Sequence, residues 1–140
     1  MADALTIGWT QAQAATARTT YRRLLGFNLI VQIVVGLIAI VVPMWLARRA
    51  NLPGPPSPGW MRLWGALLLI TASLYLPGCI EPVHVRWPNL VGIVGRFLLA
   101  LAYIHLGQGF WWFAAYELVF AVALAWSYSR LLRADLMSHP

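Results

Sequence analysis

Four long apolar runs follow one another along this chain, at about residues 24–47, 60–76, 90–106 and 110–132, each parted from the next by proline, glycine or arginine. Each is close to the roughly 20 residues a helix needs to cross about 30 Å of hydrocarbon. The pattern predicts an all-α membrane protein, with four transmembrane helices forming an antiparallel bundle. The few polar positions inside the runs then carry most of the information. In the first run Asn28 and Gln32 stand one helical turn apart, so one face of that helix looks into the bundle. Arg96 interrupts the third run and Glu117 the fourth.

Those two charges fall at matched depth. The third and fourth runs fold back through Gly107-Gln108-Gly109; Arg96 lies 11 positions before Gly107 and Glu117 lies 8 after Gly109. At about 1.5 Å per residue their depths differ by about 4 to 5 Å, a gap that an arginine side chain spans. A charge at the bilayer centre costs roughly 2.5 to 3.5 kcal/mol, so opposite charges on neighbouring helices are expected to pair. Gly92 and Ala100 lie one turn from Arg96, and Ala114, Ala121 and Ala125 share the face of Glu117. Small residues let helix backbones approach, which places both charges on packing faces. The pair reads as a structural lock on the hairpin, or as part of a proton or substrate path. In another arrangement Glu81 reaches Arg96 from the preceding loop.

Composition narrows the class. The 140 residues are 61% hydrophobic and 10% charged, with mean hydropathy +0.70. The ten cations are all arginine and, Arg96 apart, fall near the ends of apolar runs, a topology signal rather than a nucleic-acid footprint. Tryptophans at 45, 60, 64, 87, 111, 112 and 126 suit the aromatic belts of two interfaces.

Between the runs the chain is short of extramembrane mass. Residues 1–21 read as a cytoplasmic or interfacial segment leading to Tyr21-Arg22-Arg23; the apolar run after them is too long for a signal-peptide core and is expected to stay as an anchor. The 51–59 link carries four prolines and must be extended. The polar connection Cys79 to Asn89 mixes acid, base, His and Trp between prolines, and is where an active loop would be sought. Residues 133–140 form a polar tail. Four spans put both ends and the 77–89 connection on one side, with Arg18, Arg22, Arg23, Arg86, Arg130 and Arg133, against Arg48, Arg49 and Arg62 on the other. The positive-inside rule places both termini in the cytoplasm, and the expected location is a bacterial inner membrane.

Cofactor chemistry has little to stand on here. His84 and His105 bracket the third run and lie roughly 30 Å apart, which keeps them from one haem or metal in one subunit, and His139 is in the tail. His105 reads as an interfacial hydrogen-bonding residue, or as a pigment or haem ligand shared with another subunit. No nucleophile triad, phosphate loop or paired carboxylate is visible. Cys79 reads as an inert thiol or as an acylation or redox site. No catalytic residue and no metal ligand is assigned.

Four spans, a Pro-rich first loop, Glu81-Pro82 after the second span, then Trp87-Pro88 and a Gly-containing third span with Arg96 resemble the DoxX-like group of small bacterial membrane proteins, over about residues 22–132. The resemblance implies a membrane component near quinone chemistry, as in thiosulfate:quinone oxidoreductase, with Glu81, Arg86 and Arg96 near a quinone head. The leading expectation is a non-catalytic accessory subunit of a respiratory or photosynthetic electron-transfer complex. It would bind no cofactor by itself, with lipid, quinone or pigment held at an interface. Its partners would be other integral membrane subunits and lipid, or a second copy, and not nucleic acid. Trp111, Trp112 and Phe113 would make partner contacts. The alternatives are a DoxX-like quinone-interacting redox component and a small proton-coupled transporter.

Overall fold

The computed structural model describes residues 2–53 and 57–138, the stretch 2–9 by its backbone alone. The chain is all-α. Its elements are α1 (Ala2–Val41), α2 (Pro43–Arg49), α3 (Pro58–Ile80), α4 (Arg86–His105) and α5 (Trp111–Ser138), with a 3₁₀ turn at Gln108–Phe110. Four of these helices are long and apolar enough to cross a membrane: α1 from Thr10, α3, α4, and α5 with the turn before it.

The helix ends differ from the hydropathy pattern for local reasons. α1 is continuous through residues 1–21 as far as they are described, and its 40 residues make a rod of about 60 Å, twice the hydrocarbon thickness. It stops at Val41 because Pro43 has no N–H to continue the ladder; Val42 turns to φ −128°, ψ 58°, and Pro43 opens α2 as its first residue. α3 carries Pro77 within its last turn and continues to Ile80, since a proline there removes one hydrogen bond while the residues after it still bond backwards. α4 begins at Arg86, four residues before the apolar run, with Trp87-Pro88 in its first turn. Gly107 adopts φ +100°, the left-handed geometry that turns α4 back into α5. The described part of the proline-rich link shows Leu52 N–H bonded to the Ala47 carbonyl at 3.2 Å and Asn51 at φ 50°.

In cross-section α1 packs on α3 and on α5, and α5 packs on α4; the α3–α4 seam closes the ring with the slightest contact of the four. Close approach of α1 and α3 depends on facing glycines. A Cβ on Gly65 would lie 2.6 Å from the Gly36 carbonyl oxygen and 2.9 Å from Ala39 Cβ. The apolar core is concentrated toward the 81–85 connection: Tyr21, Leu25 and Leu29 of α1 meet Ala72, Val83, Leu124, Tyr128 and Leu131. Tyr21 and Tyr128 lie tilted against each other with ring centroids 5.1 Å apart. The exposed Ile, Leu, Val and Phe side chains of the spans form the lipid-facing surface.

Candidate functional site

Glu117 and Arg96 meet at the middle of the bundle. Arg96 Nη1 donates to Glu117 Oε2 at 2.7 Å, with both side chains almost wholly buried. The flanking residues explain the approach: Gly92 and Ala100 on α4 and Ala114 and Ala121 on α5 are all buried. The second guanidinium nitrogen, Nη2, donates to Asn28 Oδ1, and Asn28 Nδ2 in turn donates to the Tyr116 hydroxyl at 2.8 Å. Asn28 is fully buried. One polar cluster therefore ties α1, α4 and α5 together where hydrocarbon would otherwise leave each group unsatisfied.

A second polar group sits beside this cluster without being satisfied by it. Gln32, one turn above Asn28 on α1, is 6% exposed, and its Oε1 has no hydrogen-bond partner among the described residues. It lines a cleft of about 430 Å³ together with Glu117, Tyr116, Thr71 and a wall of Val31, Val35, Leu67, Leu68 and Leu99. Trp64, Tyr103, Trp112 and Phe113 complete the lining. Thr71 spends its hydroxyl on the Leu67 carbonyl at 2.7 Å, so apart from the polar tips of its aromatic residues the cleft is offered the Gln32 amide and the Glu117 carboxylate.

The cleft is a window in the α3–α4 seam with two different ends. At the 81–85 end the Tyr75 ring lies over Gly92, where a Cβ would come within 2.9 Å of it, and Asn89 presses on Gly78. Asn89 Nδ2 donates to the carbonyls of Gly78 at 3.1 Å, Pro82 at 3.3 Å and Val85 at 3.3 Å, and the Tyr128 hydroxyl donates to the Pro82 carbonyl at 3.2 Å. At the other end Phe113 of α5 is edge-on to Trp64 of α3 at 5.9 Å and tilted against Tyr103 of α4 at 5.6 Å. Between these ends the rim residues Leu67, Leu99 and Trp112 are exposed, and in a bilayer they face acyl chains.

The remaining candidates fall elsewhere. Glu81 is exposed in the connection and the partner of Arg96 is Glu117, so the alternative Glu81 contact is not formed. The reason is geometric: Asn89 and Tyr128 fasten the connection through Pro82, which turns Pro82 and Val83 inward and leaves Glu81 and His84 outside. Arg86 is exposed and donates from Nε back to the Val83 carbonyl of the connection at 3.0 Å, and it does not line the cleft. His105 is exposed at the end of α4, and His139 lies outside the described residues. Among the described residues no three His, Cys, Asp or Glu side chains gather as a metal-binding group. Trp111 and Trp112 are exposed, as a contact role requires, whereas Phe113 turns inward to bridge α3 and α4. Cys79 Sγ lies 3.7 Å from the Arg22 carbonyl oxygen, toward α1. Sequence reasoning missed Tyr116 and Asn89; the available signal was that each is polar on the turn next to an inward-facing residue.

Comparison of the chain with protein-family models, with curated proteins and with solved structures finds no match. The resemblance to the DoxX-like group thus rests on its short motifs alone. Of the residues it singles out, Arg96 is in the buried cluster behind Glu117, and Glu81 and Arg86 are on the surface.

Proposed function

We propose that this protein is a non-catalytic subunit of a bacterial inner-membrane assembly, and that it holds a lipophilic molecule with a polar head, of the quinone class, in the window between α3 and α4. The observation that carries this reading is the orphaned Gln32 amide oxygen in an otherwise apolar cleft. Leaving a buried acceptor unmade costs about 1–3 kcal/mol, an arrangement that makes sense where a ligand completes it. The acceptors fit a head of the reduced, quinol type: ring hydroxyls that donate to Gln32 Oε1 and toward the Glu117 carboxylate, between aromatic walls against which a ring stacks. An isoprenoid tail would leave through the window into the bilayer.

Within that reading each residue has a definite task. Gln32 orients the head, Trp64, Tyr103 and Phe113 sandwich the ring, and Arg96 holds Glu117 in place from behind. Such a molecule carries electrons when bound, and exchange with a partner subunit would pass the exposed Trp111–Trp112 face. The distribution of arginines supports cytoplasmic termini.

The test is tryptophan fluorescence of the protein in lipid nanodiscs, titrated with a short-chain ubiquinol analogue kept reduced. Saturable quenching that weakens at least tenfold in Gln32→Leu supports the site. Quenching that is unsaturable, or that is unchanged in both Gln32→Leu and Trp64→Phe, overturns it.

A further inference from the structure

On the opposite flank of the molecule from the window's aromatic end, α1 and α5 run on together past the bundle. Tyr21 against Tyr128 is the last aromatic contact between them among the described residues, and beyond it Ala17 still packs on the core. From there the two helices border a groove of about 650 Å³, within the range of small-molecule sites. Its α1 wall is Gln13, Thr16 and Thr20 with small alanines between; its α5 wall is Trp126, Arg130 and Arg133, with Met137 at the outer end. Arg130 lies over the Trp126 ring, its guanidinium carbon 4.9 Å from the centroid, so the cation is held above an interfacial tryptophan. The hydroxyls of Thr16 and Thr20 donate to the α1 carbonyls of Ala12 and Thr16, leaving the arginines as the strong donors of the groove. The nearest acid in sequence is Asp135, which does not line it.

Depth and chemistry together specify the occupant. The groove adjoins the arginine-rich ends of two spans, at the level where headgroups begin. A free anion would need only the charges, but here an exposed tryptophan and an apolar wall continue from the arginines down toward the lipid-facing surface. We infer that this groove is a binding site for the phosphate headgroup of an anionic phospholipid of the phosphatidylglycerol type, with Arg130 and Arg133 on the phosphate and an acyl chain lying along Trp126. The site is independent of the window and of whatever binds there.

Native mass spectrometry of the purified chain, with phosphatidylglycerol and phosphatidylcholine offered at equal concentration, reads the site directly. Retention of phosphatidylglycerol at least fivefold over phosphatidylcholine in the wild type is expected, with that preference lost in Arg130→Gln/Arg133→Gln and kept in Arg48→Gln/Arg49→Gln on the other side. Equal retention of both lipids, or a preference that survives Arg130→Gln/Arg133→Gln, overturns the inference. Displacement of phosphatidylglycerol by millimolar inorganic phosphate also overturns it, since the groove would then be a free-anion site. Should the double variant fail to fold, the wild type still decides: the phosphatidylglycerol signal must fall with rising salt while phosphatidylcholine does not.

Discussion

Asn28 accepts from Arg96 across 68 positions of sequence, and through that one bond the first span is fastened to the third, with which it has no extensive packing of its own. Asn28 is thus the residue that turns a two-helix ion pair into a three-helix junction. Its replacement by Ala would remove the bonds to Arg96 and Tyr116 together. The expected loss is about 1–3 kcal/mol of unfolding free energy in detergent, with Asn28→Leu no better, because Arg96 Nη2 loses its acceptor in either case.

The ion pair itself should behave asymmetrically. Arg96→Leu leaves a buried carboxylate and Glu117→Leu leaves a buried guanidinium, so each single change is expected to cost about 3–5 kcal/mol. Changing both to Leu removes the uncompensated charge and should restore more than half of that. A double-mutant cycle by denaturant titration in mixed micelles checks it; additive losses would show that the two side chains are not coupled.

Gln32 reverses the usual relation between a buried polar residue and stability. Because its Oε1 has no partner, Gln32→Leu is expected to leave thermal stability unchanged or to raise it, while removing ligand retention in the window. A clear fall in the melting temperature would mean that the amide is satisfied and that the cleft is plain packing.

Glycines separate sharply by what faces them. Gly65→Ala would set a Cβ against the Gly36 carbonyl and Ala39, both parts of the α1 backbone or its first side-chain atom, so α1 and α3 must move apart at a cost of about 1–3 kcal/mol. Gly26→Ala meets nothing closer than Cys79 Sγ at 4.0 Å and should be neutral or slightly stabilising. Comparing the two melting temperatures isolates the crossing.

Asn89 offers a test of sign. Its Nδ2 faces three carbonyl oxygens, so Asn89→Asp would set an acceptor against acceptors in a buried site, whereas Asn89→Leu only loses the bonds. Asp is therefore expected to be the more damaging of the two by at least about 1 kcal/mol, read from the same denaturant titration.

Much of this architecture was legible from spacing. Helix type, span number and the matched depths of Arg96 and Glu117 all follow from rise per residue and hydropathy, because a bilayer leaves few alternatives. The face shared by Asn28 and Gln32 was also readable, but not their division of labour. That depends on which neighbour reaches each amide, and a one-turn offset separates a satisfied group from an orphaned one. The ends of the helices were less legible. Pro77 looks like a stop from sequence, yet a proline in a last turn costs a single bond. The Glu81 and Arg86 positions looked chemical because they are charged, and only the fastening of Pro82 by Asn89 and Tyr128 turns them outward.

The two ends of the α3–α4 window are held by forces of different kinds, and this sets how it yields. Asn89 is buried and makes directional bonds to three carbonyls, so that end is stiff. At the other end Phe113 touches Trp64 and Tyr103 through ring faces and edges, contacts worth about 0.5–1.5 kcal/mol each and tolerant of sliding. A guest larger than the resting cleft would do its work against the edge-on and tilted rings before the hydrogen bonds, so the seam is expected to yield at its aromatic end and keep its register at Asn89.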